Sequence, residues 1–124
     1  MASVELTAEN FDATITDNDI VVVDFWADWC GPCKMFAPTF EAASEKDSEI
    51  VFGKVDTEAE QSLAAAAGIQ SIPTLMVFRE KVLIFSQAGA LPPAALDDLI
   101  TQVKGLDMEA VHAEIAKQRA EVND

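Results

Sequence analysis

Cys30 and Cys33 are the only cysteines of the 124-residue chain, and they bracket Gly31-Pro32. Thiol–disulfide exchange needs one acidified thiol to attack a substrate disulfide and a second within reach to release the resulting mixed disulfide. Cysteines at i and i+3 meet that need in the first turn of a helix, where they share a face and can bridge with little backbone movement. Pro32 suits such a turn, because its missing N–H has no intrahelical partner to lose there, and it stiffens the loop. At a helix N-terminus the unsatisfied N–H groups and the helix dipole stabilise a thiolate. Cys30, the outer residue, is therefore expected to be the nucleophile, and Cys33, one turn in and more buried, the resolving thiol. The competing reading of Cys-x-x-Cys is half of a zinc site. A closed site needs four ligands, the chain has no second Cys pair, and its one histidine, His112, lies far off, so no metal is expected.

The dithiol needs a strand to deliver it and a helix to open at it. Ile20 to Ala27 is β-branched and aromatic, apolar on both faces except at Asp24, which predicts a central buried strand. From Gly31 to about Ser44, Met35, Phe36, Phe40 and Ala43 recur at helical spacing, with Pro38 placed to kink the helix. Residues 50–55 predict a second strand, and Thr57 with Glu60 has capping-box spacing before an Ala-rich helix ending at Gly68. Residues 74–78 and 82–86 are separated only by Arg79-Glu80-Lys81 and must form a hairpin, so the sheet is mixed. A helix from Pro93 to Gly105 shows Leu96, Leu99, Ile100 and Val103 on one face. At the start, residues 4–6 suit an edge strand and Thr7 a cap for a helix carrying Phe11 and Ile15. After Gly105, Asp107 can cap a terminal amphipathic helix with Met108, Val111, Ile115 and Val122 along one stripe. That helix is expected to dock on its own domain or fray, in preference to forming a dimer or partner surface. His112 is expected to be solvated on it.

The chain is long enough for one core, and half its residues are hydrophobic. Its formal net charge of -14 repels phosphate backbones and anionic headgroups, which argues against nucleic-acid and membrane partners. A solvated, self-repelling surface is the simpler reading of that charge, and a monomer is expected. The first residues show neither a basic leader nor an apolar stretch of secretory length, and no later run spans a bilayer, so a cytoplasmic location is expected.

Residues 24–35, Asp-Phe-Trp-Ala-Asp-Trp-Cys-Gly-Pro-Cys-Lys-Met, with Ile72-Pro73-Thr74 and Gly89-Ala90-Leu91 downstream, closely resemble the thioredoxin family. The resemblance runs from about Val4 to Val103. It implies an α/β thioredoxin fold, a five-stranded mixed sheet flanked by four helices. Residues 1–104 would form the thioredoxin domain, and 105–124, beyond the match, a helical extension. The resemblance also implies protein-disulfide reductase activity without a bound cofactor, fed by NADPH through a thioredoxin reductase, with disulfide-containing proteins as substrates. Asp24 matches the family's buried acid. A lone carboxylate in an apolar strand should have its pKa raised by desolvation and could act as general acid/base toward Cys33. Lys54 matches the basic partner that modulates this acid. Pro73 matches the family's cis-proline, with Ile72 presenting backbone to an extended substrate segment. Trp29 and Gly89 would flank the same groove beside Gly31 and Pro32, Trp29 as an apolar platform and Gly89 by letting backbone approach. Gln70-Ser71 borders that groove and could alter partner choice, while Trp26 is read as packing. The family often has Asn-Gly where this chain has Arg79-Glu80-Lys81, so a different turn geometry is expected there.

Four activities can be separated by experiment. The first is reduction of protein disulfides through Cys30 and Cys33. The second is a binding subunit or regulator whose dithiol only sets a redox state. The third is an oxidant or isomerase, which Gly-Pro between the cysteines argues against by resemblance. The fourth is zinc binding.

Overall fold

The computed structural model describes residues 2–123. Its elements are β1 (Val4–Glu5), α1 (Phe11–Asp17), β2 (Ile20–Trp26), α2 (Gly31–Lys46), β3 (Val51–Asp56), α3 (Gln61–Ala66), β4 (Thr74–Arg79), β5 (Val82–Ala88), α4 (Pro93–Lys104) and α5 (Met108–Asn123). The sheet order is β1-β3-β2-β4-β5. β2 runs parallel to β3 and antiparallel to β4, so the most apolar strand sits at the centre, as its two-sided hydrophobicity requires.

Alternation along β2 divides the core. Ile20 and Val22 pack with Phe36 and Phe40 of α2 and Leu96 and Val103 of α4. Val21, Val23 and Phe25 pack with Ile15 of α1 on the other face, where Leu63 of α3 joins them. Asp24 belongs to the first set by parity, so its carboxyl faces the side that α2 covers. Met35 departs from the expected apolar stripe: Cys33, Phe36, Phe40 and Ala43 define the buried face, and Met35 is 80% exposed.

Gly53 of β3 makes room for the N-terminal segment. A Cβ there would overlap Leu6 Cδ1 and lie 2.6 Å from Leu6 Cγ, and Leu6 is itself fully buried. Gly53→Ala is therefore expected to destabilise the fold by about 1–3 kcal/mol through overpacking. Urea unfolding should show a lower midpoint at unchanged slope, and adding Leu6→Ala should recover part of the loss.

Three local expectations are corrected. Thr57 does not cap α3: its N–H and its hydroxyl both donate to the Trp26 carbonyl, at 2.9 and 3.0 Å, and Glu60 instead accepts the Ala8 N–H at 2.7 Å. The helix consequently starts at Gln61. Thr7 heads a turn rather than capping α1; its carbonyl accepts the N–H groups of Asn10 and Phe11, and the helix begins at Phe11. The β4–β5 turn keeps the geometry an Asn-Gly pair would favour, with φ of 49° at Glu80 and 71° at Lys81. Strand twist demands positive φ in a two-residue hairpin loop, and the Glu80 N–H, donating to the Asp19 carbonyl at 2.8 Å, helps hold it there.

The terminal helix docks at the sheet end away from the dithiol. Arg79, at the far end of β4, donates through Nη1 to the carbonyls of Val103, Lys104 and Leu106, tying down the α4–α5 junction. Asp107 Oδ1 accepts the Ala110 N–H at 3.1 Å, as expected of a cap. Met108 is buried, Val111 and Ile115 partly so, and Val122 exposed. His112 is not simply solvated: its Nε2 lies 2.9 Å from Glu80 Oε1 on the hairpin turn.

Candidate active site

β2 ends at Trp26, a short turn brings the Cys30 N–H onto the Ala27 carbonyl at 3.2 Å, and α2 opens at Gly31. Cys30 occupies the N-cap position, where a side-chain acceptor usually satisfies one of the first free N–H groups. Sulfur plays that part here: the Cys33 N–H donates to Cys30 Sγ at 3.2 Å. Cys30 and Cys33 are joined as a disulfide with Cα atoms 5.2 Å apart. Sγ of Cys30 also lies 3.7 Å from the Ile72 carbonyl oxygen, on the residue before the cis Ile72–Pro73 bond.

The two cysteines are equally covered, each 3% exposed, contrary to the expectation that Cys33 is the more buried. What separates them is direction. Cys30 lines a groove of about 470 Å³ together with Trp29, Gly31, Pro32 and Ile72, and Cys33 does not reach it. Thr57, Ala64, Ile69, Gln70 and Ser71 complete the wall. Of these, the chain pattern pointed to Gln70 and Ser71 only; Ile69, an apolar residue just after a helix-ending glycine, was the available signal for the rest. Trp29 is 69% exposed, and its indole N–H donates to Glu58 Oε1 at 2.6 Å, which fixes the ring as a platform. Pro73 and Gly89, expected in the groove, meet beside Ile72, which lines it. Pro73 is buried, and the Gly89 N–H donates to the Pro73 carbonyl at 2.8 Å. Gly89 has a φ of 106° and open space where a side chain would stand.

Asp24 is 1% exposed, and neither carboxyl oxygen has a hydrogen-bond partner among the described residues. Burial pushes its pKa from 3.8 up to about 7; the Lys54 charge opposes that rise, and the Glu41 charge adds to it. Lys54 stands opposite Asp24 in the β2–β3 register, with Nζ 5.0 Å from the centroid of the Trp26 ring in a cation–π contact. Trp26 thus contributes more than packing. Glu41 carried no signal in the chain pattern, since its closeness to Asp24 arises only when α2 lies across the sheet. Among the described residues no group of three or more His, Cys, Asp or Glu side chains could hold a metal ion.

The thioredoxin family model matches residues 2–102. "Putative thioredoxin 2" of Streptomyces coelicolor is 58% identical over 120 residues, covering 97% of this chain and 90% of that protein, so the likeness extends into α5. Thioredoxin of Bacillus subtilis is 38% identical over 103 residues, covering 82% of this chain and 98% of its own length. Among solved structures, a point mutant of thioredoxin from Halobacterium salinarum superposes with a TM-score of 0.77 at 35% identity, covering 84% of this chain and 91% of that one. A dithiol at a helix N-terminus beside an apolar groove, in this fold and with these relatives, is a protein-disulfide oxidoreductase centre, and the chain belongs to the thioredoxin family.

Proposed function

We propose that the chain reduces disulfides in other proteins and is returned to its dithiol state by a thioredoxin reductase that draws on NADPH. Cys30, as thiolate, attacks one sulfur of the substrate disulfide; a Cys30–substrate bond forms and the substrate's S–S bond breaks, releasing one substrate thiolate. Cys33 then loses its proton to Asp24 and attacks Cys30 Sγ, so that the Cys30–Cys33 disulfide forms and the second substrate thiolate leaves. Two electrons pass to the substrate, and the reductase restores them. Lys54 modulates Asp24 as acid and base. Trp29, Gly31, Pro32, Ile72, Pro73 and Gly89 form the docking groove, where Gly89 lets substrate backbone approach. Residues 1–104 carry the exchange and 105–124 form an appended helix. The chain works as a monomer in the cytoplasm, whose reducing poise suits an open dithiol.

The observation that carries this reading is the asymmetry of the pair: the Cys33 N–H aims at Cys30 Sγ, and of the two cysteines only Cys30 opens onto the groove. A hydrogen bond to sulfur at a helix N-terminus favours the thiolate. The test is NADPH consumption with a thioredoxin reductase and insulin as the disulfide substrate. Catalytic consumption that scales with this protein is expected; none above the reductase-only control overturns the reading.

A further inference from the structure

On the sheet face beneath α2, Glu5, Lys54 and Asp24 form a row across β1, β3 and β2, each opposite the next in register. Trp26 and Asp56 follow one step toward the dithiol end. Glu41 comes from α2 above this row. Its Oε2 accepts the Ser3 hydroxyl at 2.7 Å, while its Oε1 is buried and has no partner among the described residues. Both oxygens of Asp24 and the Trp26 indole N–H share that condition. Ser3, Glu5, Trp26, Glu41, Lys54 and Asp56 line a cavity of about 410 Å³, and none of them lines the substrate groove. Leaving a buried polar atom unpaired costs on the order of 1–3 kcal/mol, so the Trp26 N–H and Glu41 oxygen at this cavity, with Asp24 next to its Lys54, point to a use for it.

We propose that Glu41 is a positioning residue that acts through Asp24: anchored by Ser3 at the rear of the site, it counters Lys54 and keeps Asp24 protonated until Cys33 requires a base. The kinetic part of this inference rests on the reading of Asp24 given above. The charges facing Asp24 are Lys54 and Asp56 from β3, Glu5 from β1 beyond Lys54, and Glu41 from α2. β4 places Leu75 opposite it, α4 packs there through Leu96, and the Cys30–Cys33 disulfide carries no charge. Lys54 and Glu41 act on Asp24 with opposite signs. Without Glu41, Lys54 would meet less opposition, and Asp24 would ionise at lower pH. The arrangement also separates two tasks: the groove face of the site meets substrate, and the rear cavity governs the proton.

The experiment is a titration of the Asp24 side-chain carboxyl by carbon NMR in the full-length oxidised protein. For Glu41→Gln, which keeps the side chain's shape, the Asp24 midpoint should fall by about half to one pH unit, the effect of removing one charge several ångströms away through protein. Ser3→Ala, which frees Glu41 toward solvent, should give a smaller fall, and Lys54→Met a rise. An Asp24 midpoint that stays put or rises in Glu41→Gln overturns the inference. A parallel pH profile of the resolving step distinguishes the two claims. If the NMR midpoint falls while the profile is unmoved, Glu41 sets the Asp24 proton, and it is the assignment of Asp24 as base that fails.

Discussion

Cys30→Ser is expected to bring insulin reduction to the reductase-only background, a loss of roughly 1,000-fold or more, because a hydroxyl at that position supplies no nucleophile that ionises near neutral pH. Cys33→Ser should fail equally in turnover, for a different reason. It keeps the attacking sulfur at the groove and so still opens one substrate disulfide, but the mixed disulfide then has no internal thiol to release it. The two variants therefore separate in a single-turnover experiment: the first should release no substrate thiol, and the second one thiol per protein with the other sulfur retained. A binding subunit or regulator whose dithiol is incidental would keep its cellular activity in the double variant, which makes the same substitutions decisive between the two readings.

Asp24→Asn should produce the second large effect, with opposite signs for stability and rate. The Asp24 carboxyl titrates at about 7 in the fold against an ordinary value of 3.8. Its folded pKa is raised, so the folded chain binds the extra proton between those values. Stability contributed by this group therefore falls as pH climbs from about 4 to about 7, and the penalty is complete above that range. The asparagine variant lacks it. Its advantage in urea unfolding should be near zero below pH 4 and grow to about 4 kcal/mol at pH 8, for a shift of this size in a fully buried group. The same change should slow the resolving step by roughly 100-fold and flatten its rise through neutral pH, since general-base contributions begin near that size. A variant that is no more stable than the parent at pH 8 would show that Asp24 bears no buried charge there.

The elements that position the site were readable wherever one local pattern covered the whole element. β2 announces itself through unbroken β-branched and aromatic residues, and α2 through Phe36, Phe40 and Ala43 at helical spacing behind a dithiol. α4 does so through Leu96 to Val103, between a starting proline and an ending glycine. The hairpin followed from the shortness of the connection alone, although its turn residues gave no sign that Glu80 and Lys81 would both adopt positive φ. Misreadings arose where a polar side chain had two possible partners. Thr57 has the spacing of a cap, yet its hydroxyl goes to Trp26, thirty-one positions away in sequence and adjacent only in the folded sheet. Glu60, the other half of the supposed box, turns to Ala8.

The site divides in the same way. Cys30, Cys33 and Asp24 could be picked out because their types are unusual in their local setting: two thiols on one helical turn and one carboxylate in an apolar strand. The groove wall at Thr57, Ala64 and Ile69, the Glu58 tether on Trp29, and Glu41 behind Asp24 involve ordinary residue types on separate elements. Only the packing of α2 and α3 onto the sheet makes neighbours of them.

The division of labour between the two cysteines is tested most directly by intact-mass analysis and peptide mapping of Cys33→Ser after incubation with a disulfide substrate, with Cys30→Ser treated in parallel. The geometry predicts a single substrate adduct on Cys30 in the first protein and essentially none in the second. An adduct that accumulates on Cys33 in Cys30→Ser as readily as on Cys30 in Cys33→Ser would contradict it.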